Sequence, residues 1–140
     1  MKALYVSFLL VLLALVAGGC TPQPPAKAQA GYDLEFVLKT AMEGGRMVFV
    51  GIGGRIDGIV NPELVGHPGD AVHLVLINSD GMAHDLAIPD LAVKTTLVIR
   101  EGDSTEVVFE VNDVGVYAYY CTVSGHRLAG MEGKLIVAKP

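Results

Sequence analysis

Tryptophan is absent from the 140-residue chain, cysteine occurs only at Cys20 and Cys121, and charged residues make up 18% of the sequence. Two cysteines do not build a disulfide scaffold. An immunoglobulin-type sandwich wants a Cys…Trp…Cys set that is missing here. Basic residues are also scarce: 10 Lys and Arg against 15 Asp and Glu give a formal charge of −5. A protein that neutralised phosphates would carry the opposite sign, which argues against nucleic-acid binding. Amphipathic helical periodicity over more than two turns is missing, as are internal repeats. The stretch Gly51 to Gly58 (GIGGRIDG) lacks Gly-Lys-Ser/Thr and opens no helix, so it is no phosphate loop. A Cys–His nucleophile would need an oxyanion loop and a pocket-forming insertion, and neither is visible. At this length one domain and one core are expected. The 17 Gly and 7 Pro suit a turn-rich β protein.

Mean hydropathy is +0.48, and one segment inflates it. Lys2 precedes an apolar run, Ala3 to Ala17, interrupted only by Ser7, and Gly18-Gly19-Cys20 follow. A charged start, an apolar middle and small residues before a processing point are the layout of an export signal. The run is shorter than the roughly 20 residues of a spanning helix. The residues before Cys20 resemble a bacterial lipobox, with Ala17 where Leu is usual. By that resemblance residues 1–19 are a lipoprotein signal peptide and Cys20 carries the lipid. An uncleaved anchor helix and simple secretion fit the same segment, and all three place the domain outside the cytoplasm. Removing residues 1–19 takes one Lys, leaving 9 basic against 15 acidic side chains, or −6. Residues 20–30 contain TPQPPAKAQA, an extended Pro-rich tether. At about 3.1 Å per residue it holds the domain roughly 30 Å from a membrane.

Residues 31–140 carry the fold. Tyr32, Leu34, Phe36 and Leu38 alternate with Asp33, Glu35 and Lys39, and Thr105, Val107, Phe109 and Val111 alternate with Ser104, Glu106 and Glu110. Both have strand periodicity with one wet face. Ala71 to Ile77 reads as a buried strand, and Thr95 to Ile99, Val116 to Cys121 and Lys134 to Ala138 as further strands, with Met47 to Val50 a short apolar run. Turn chemistry separates them at Gly66-His67-Pro68-Gly69-Asp70, Asn78-Ser79-Asp80-Gly81 and Asn112-Asp113. Leu86 to Lys94 is ambiguous. About seven short strands at this spacing point to an all-β antiparallel sandwich or barrel.

The informative stretch runs from Tyr119 to Met131 and reads C-x4-H-x4-M at Cys121, His126 and Met131. It forms one loop between two neighbouring strands, so all three side chains can aim at one point. A fourth ligand has to come from elsewhere. His84 follows a strand end and a turn, and that end of a sandwich can face the Cys121 loop. His67, in a Pro-Gly turn, and His73, inside a strand run, compete for the role and are read as solvated. Two imidazoles, one thiolate and a weak thioether form the soft, asymmetric set of a copper electron-transfer site. Structural zinc makes no use of a thioether.

With these residues the domain resembles a cupredoxin, a small blue-copper protein. The loop spacing is similar to that of auracyanin-type proteins. The text from Gly45-Arg46-Met47-Val48-Phe49-Val50 through Asn61-Pro62 to Gly133 resembles the amino-terminal cupredoxin domain of some multi-domain copper nitrite reductases. The resemblance implies a Greek-key β-sandwich or barrel of about seven to eight strands and one type 1 copper per chain, held by His84, Cys121, His126 and Met131. It implies no catalysis, but single-electron transfer to redox proteins such as a cytochrome, an oxidase or a nitrite reductase. A periplasmic copper carrier or store, and an electron-donor module for a nitrite reductase or oxidase, are the alternatives. Asp85 and Thr122 are expected beside the ligands. The family usually has Asn directly after the first His, and Asp85 in that place alters the hydrogen bonds that tune the metal. With His84 and His126 committed, His67 and His73 are too few for a separate three-His catalytic copper.

Overall fold

The computed structural model describes residues 31–140. The signal segment 1–19 and the tether with Cys20 lie outside the described residues. Nine strands follow in chain order: β1 Leu34–Glu43, β2 Arg46–Ile52, β3 Glu63–Gly66, β4 Asp70–Ile77, β5 Ala87–Ile88, β6 Val93–Lys94, β7 Ser104–Val111, β8 Gly115–Tyr120 and β9 Glu132–Val137. They form two sheets, β2-β1-β4-β7 and β3-β9-β8-β5-β6. The only described helices are two 3₁₀ turns, Gly54–Ile56 and Pro89–Leu91. No described helix is long and apolar enough to cross a membrane.

Alternation along the strands builds the core. On β4, Val72, Leu74 and Leu76 are fully buried while His73, Val75 and Ile77 on the other face are not. On β7, Thr105 and Val111 are buried and Glu106 and Glu110 are exposed, as the period of two requires. The core cluster joins Leu38, Leu74 and Leu76 of one sheet to Leu64, Tyr119 and Leu135 of the other. Cys121 and Met131 belong to the same cluster, so the end of the sandwich that carries them is packed rather than wet.

Four expectations need correction. Nine strands are described because the ambiguous segment Leu86 to Lys94 supplies two strands of two residues each, flanking a 3₁₀ turn, and Glu63–Gly66 supplies a further short one. Thr95 to Ile99 is not a strand. Val98 makes a single bridge to His84, whose own segment is irregular, so the ladder has nothing to extend along. The sandwich is not wholly antiparallel either: β1 pairs with β4 and β3 with β9 in parallel. The chain leaves the first sheet after β2 and returns at β4, which lays β4 beside β1 in the same direction. His67 is exposed as expected. His73 is not solvated: Glu35 Oε1 lies 3.2 Å from its Nδ1, Glu106 Oε2 lies 2.9 Å from its Nε2, and Tyr32 packs against the ring.

Tyr119 is the largest fully buried side chain, and its hydroxyl donates to the Pro62 carbonyl at 2.7 Å. Gly133 sits opposite on β9, where an added Cβ would fall 2.2 Å from the Tyr119 ring. A packed core does not yield that space without displacing the ring. Gly133→Ala is therefore expected to destabilise the copper-free domain by about 1–3 kcal/mol, read from the denaturant midpoint. An unchanged midpoint would show that the Tyr119 ring is not held there.

Candidate metal centre

Three segments meet at one end of the sandwich. The first is the turn after β4. Asn78 is fully buried. Its Oδ1 accepts from the N–H groups of Asp80 and Gly81, and its Nδ2 donates to the Met82 carbonyl at 2.6 Å. Such an Asx arrangement folds the backbone on itself. Thr40 Oγ1 of β1 accepts from Ser79 N–H, which ties the turn to the first sheet. His84 emerges from this turn, and its backbone exchanges two hydrogen bonds with Val98, at 2.9 and 2.8 Å.

The second segment is the end of β8, which delivers Cys121. The third is the loop from Thr122 to Met131. Its backbone is knitted by Ala129 N–H to Gly125 O, Gly130 N–H to Arg127 O and Met131 N–H to His126 O. Cys121 N–H donates to the Met131 carbonyl at 3.2 Å and closes the loop at its base. Asn61 braces it from outside: its Nδ2 donates to Gly130 O at 2.8 Å, and its Oδ1 accepts from Phe49 N–H. Arg127 spans the loop to Glu132 with two charge-assisted bonds, 2.6 and 2.8 Å, and its guanidinium lies over the Tyr120 ring.

These segments bring three donor atoms together. His84 Nδ1 lies 3.9 Å and His126 Nδ1 3.6 Å from Cys121 Sγ, and the two nitrogens are 3.3 Å apart. Three ligands about 2.0–2.3 Å from one ion in a trigonal plane stand about 3.5–3.8 Å apart, so the triangle has the size a single metal ion needs. His84 is 0%, Cys121 1% and His126 8% exposed. Met131 is fully buried, and its backbone bonds to both Cys121 and His126. His67 and His73 are not in the triangle.

Burial pushes the Cys121 thiol up, against the backbone N–H groups of Asp85 and Val123, which favour the thiolate. Burial and the neighbouring His84 push His126 down, so its imidazole is neutral at neutral pH, as a ligand must be. Asp85 sits beside the site with its side chain almost fully buried. It accepts from Thr122 N–H at 2.6 Å and Thr122 Oγ1–H at 2.5 Å, and pairs with Lys94 at 3.0 Å. Burial alone would raise its carboxyl, but the two Thr122 donors and Lys94 outweigh that and hold it below the usual carboxylate value. Asp85 thus ties the His84 segment to the Cys121 segment, and Lys94 answers its charge.

Two residues beside the site escaped the sequence reading. Lys94 gave no signal, because nothing in its spacing links it to Asp85. Asp80 did give one, a carboxylate four residues before a candidate ligand His in a tight turn. Its oxygens lie 2.9 and 3.1 Å from His84 Nε2.

The family profile described as copper binding proteins, plastocyanin/azurin family, matches residues 37–138. The chain belongs to that family, the cupredoxins. Among curated proteins, auracyanin-B of Chloroflexus aurantiacus is 44% identical over 46 residues, 33% of this chain and 20% of that protein. The chain therefore spans about a fifth of that relative's length in the match. Among solved structures, auracyanin B has a TM-score of 0.55 at 21% identity, covering 76% of this chain and 90% of that one. Rusticyanin from Thiobacillus ferrooxidans has 0.58 at 24%, covering 74% and 76%. A copper-containing nitrite reductase from Thermus scotoductus SA-01 has 0.56 at 24%, covering 76% of this chain and 28% of that one. At these identities the structural likenesses speak for the fold alone. In this cupredoxin His84, Cys121 and His126 are positioned as a single copper site, with the donor set of blue-copper electron transfer.

The lowered carboxyl of Asp85 fixes the sign of an acid effect. Its folded value lies below the ordinary carboxylate value. Its contribution to stability is therefore complete above the unfolded value and is lost as pH falls through the folded one. The copper-free protein should lose stability between about pH 5 and pH 2, and Asp85→Asn should flatten that loss. Denaturant midpoints measured across this range check it, and parallel curves for the two proteins would contradict it.

Proposed function

We propose that the protein is an exported electron carrier that holds one type 1 copper and passes single electrons between redox proteins. The observation that carries this reading is the closed, buried triangle of Cys121 Sγ, His84 Nδ1 and His126 Nδ1. Bound copper supplies a one-electron Cu(I)/Cu(II) couple. Cys121 would supply the thiolate, His84 and His126 the two imidazole nitrogens, and Met131 a weak thioether that favours Cu(I). The stiff loop, held by Arg127–Glu132 and by Asn61, keeps this arrangement fixed while the charge changes.

The site does not resemble a substrate pocket. The surface hollow lined by Phe36, Arg55, Glu63, Val65 and His67 contains none of the three donors. A role in handing copper on is disfavoured by the same burial, since exchange would require the loop to open. His126 is the most exposed of the three ligands and serves as the electron portal. Leu128, 95% exposed two residues beyond it, and Met82, 38% exposed two residues before His84, supply apolar surface near the site. A small apolar patch suits brief encounters with a cytochrome, an oxidase or a nitrite reductase, and the acidic remainder of the surface favours basic partners. Small-molecule substrates and nucleic acid have no place in this reading. Export by residues 1–19, lipid on Cys20 and the tether to residue 30 would hold the domain at the outer face of a bacterial membrane.

Copper-loaded protein is expected to absorb strongly in the visible and to give a type 1 spin-resonance signal, both lost in Cys121→Ser. A colourless oxidised protein, or colour surviving in Cys121→Ser, would overturn the assignment. Cys20→Ala should move the protein from the membrane to the soluble fraction, and unchanged fractionation would mean another mode of attachment.

A further inference from the structure

We propose that Asp80 is a positioning residue for the copper site, fixing the tautomer and ring orientation of His84 and favouring Cu(II) over Cu(I). This rests on the reading of the triangle as a copper site.

The geometry is specific. Both carboxylate oxygens of Asp80 face His84 Nε2, at 2.9 and 3.1 Å. The His84 ring is fully buried and the Asp80 side chain is 11% exposed. A neutral imidazole carries one N–H, and the nitrogen that faces a carboxylate holds it. The lone pair is then left on Nδ1, on the side of the ring that faces Cys121 Sγ and His126 Nδ1. The proton position follows from the partner, and the partner is fixed. Asp80 Oδ1 also accepts from Met82 N–H at 3.0 Å, and the Asp80 backbone N–H donates to the buried Asn78 Oδ1. Asn78, Asp80 and His84 are thus one rigid unit within a seven-residue turn.

The two imidazoles of the site are therefore unequal. Among the described residues, the hydrogen-bond-range partners of the His126 ring are Cys121 and His84, and no carboxylate accepts from it. His84 is backed by a full negative charge. A carboxylate that accepts the far N–H makes a ligating imidazole more basic. A more basic donor gains more from the more highly charged ion, which is Cu(II). Asp80 thereby opposes Met131, whose thioether favours Cu(I), and the pair sets the potential between them.

The test has one arm with copper and one without. Asp80→Asn keeps the shape and removes the charge. It should cost about tenfold in Cu(II) affinity relative to Cu(I), a rise of about 59 mV in the one-electron potential, with the blue colour retained. In copper-free protein, ring ¹⁵N NMR should show His84 protonated at Nε2 in the wild type and a mixture of tautomers in Asp80→Ala. A purely structural role would lower the unfolding midpoint and leave both readouts where they were. An unchanged potential in a blue Asp80→Asn protein overturns the proposed bias toward Cu(II). A His84 that keeps its tautomer in Asp80→Ala overturns the positioning role. A wild type that takes up no copper overturns the copper reading instead, while the NMR arm still decides what Asp80 does.

Discussion

A sulfur and two ring nitrogens are held 3.3–3.9 Å apart in a buried corner of the sandwich. Little in the folded chain rewards that arrangement, since burial disfavours the Cys121 thiolate and His126 imidazolium alike. The convergence has to be imposed by structure whose own stability comes from elsewhere. Packed side chains from both sheets supply it, and the backbone around the site transmits it. The Asx turn at Asn78 aims His84, β8 aims Cys121, and the knitted loop aims His126. A cation placed among the three donors removes the conflict, and metal binding then stabilises the fold that created it.

The surroundings of the triangle divide into two kinds. On one side Asp85, Thr122 and Lys94 clamp the His84 segment to the Cys121 segment with charge-assisted hydrogen bonds in a nearly buried place. On the other side Asp80 grips the ring of His84 itself. The first fixes backbones and the second fixes a side chain. Both put negative charge near the site. Lys94 compensates one of them, whereas Asp80 is answered by the Met82 N–H, the Thr40 hydroxyl and the imidazole it holds.

Most of the architecture is legible in the residue pattern. Period-two alternation in Thr105 to Val111 and the apolar run Ala71 to Ile77 gave two strands of the first sheet, and C-x4-H-x4-M gave the loop that brings His126 to Cys121. What failed had a physical cause. Thr95 to Ile99 has strand composition, but a strand exists only where a partner offers a ladder, and His84 offers one residue. Ala87–Ile88 and Val93–Lys94 are too short for any period to show. Parallel pairing of β1 with β4 depends on where the chain changes sheets, which no local pattern encodes. His73 looked solvated because the two glutamates that enclose it lie 38 and 33 positions away in sequence. Asp85 was visible as a departure from the family pattern, but its partner Lys94 was not.

The most direct test of a preformed, unchanging copper site is X-ray absorption at the copper edge on the same protein in both oxidation states. One short sulfur and two imidazole nitrogens should be present in each, with no ligand gained or lost on reduction. Loss of a nitrogen or the sulfur on reduction, or a site built from other donors, would contradict the proposition that the fold, rather than the metal, sets the geometry.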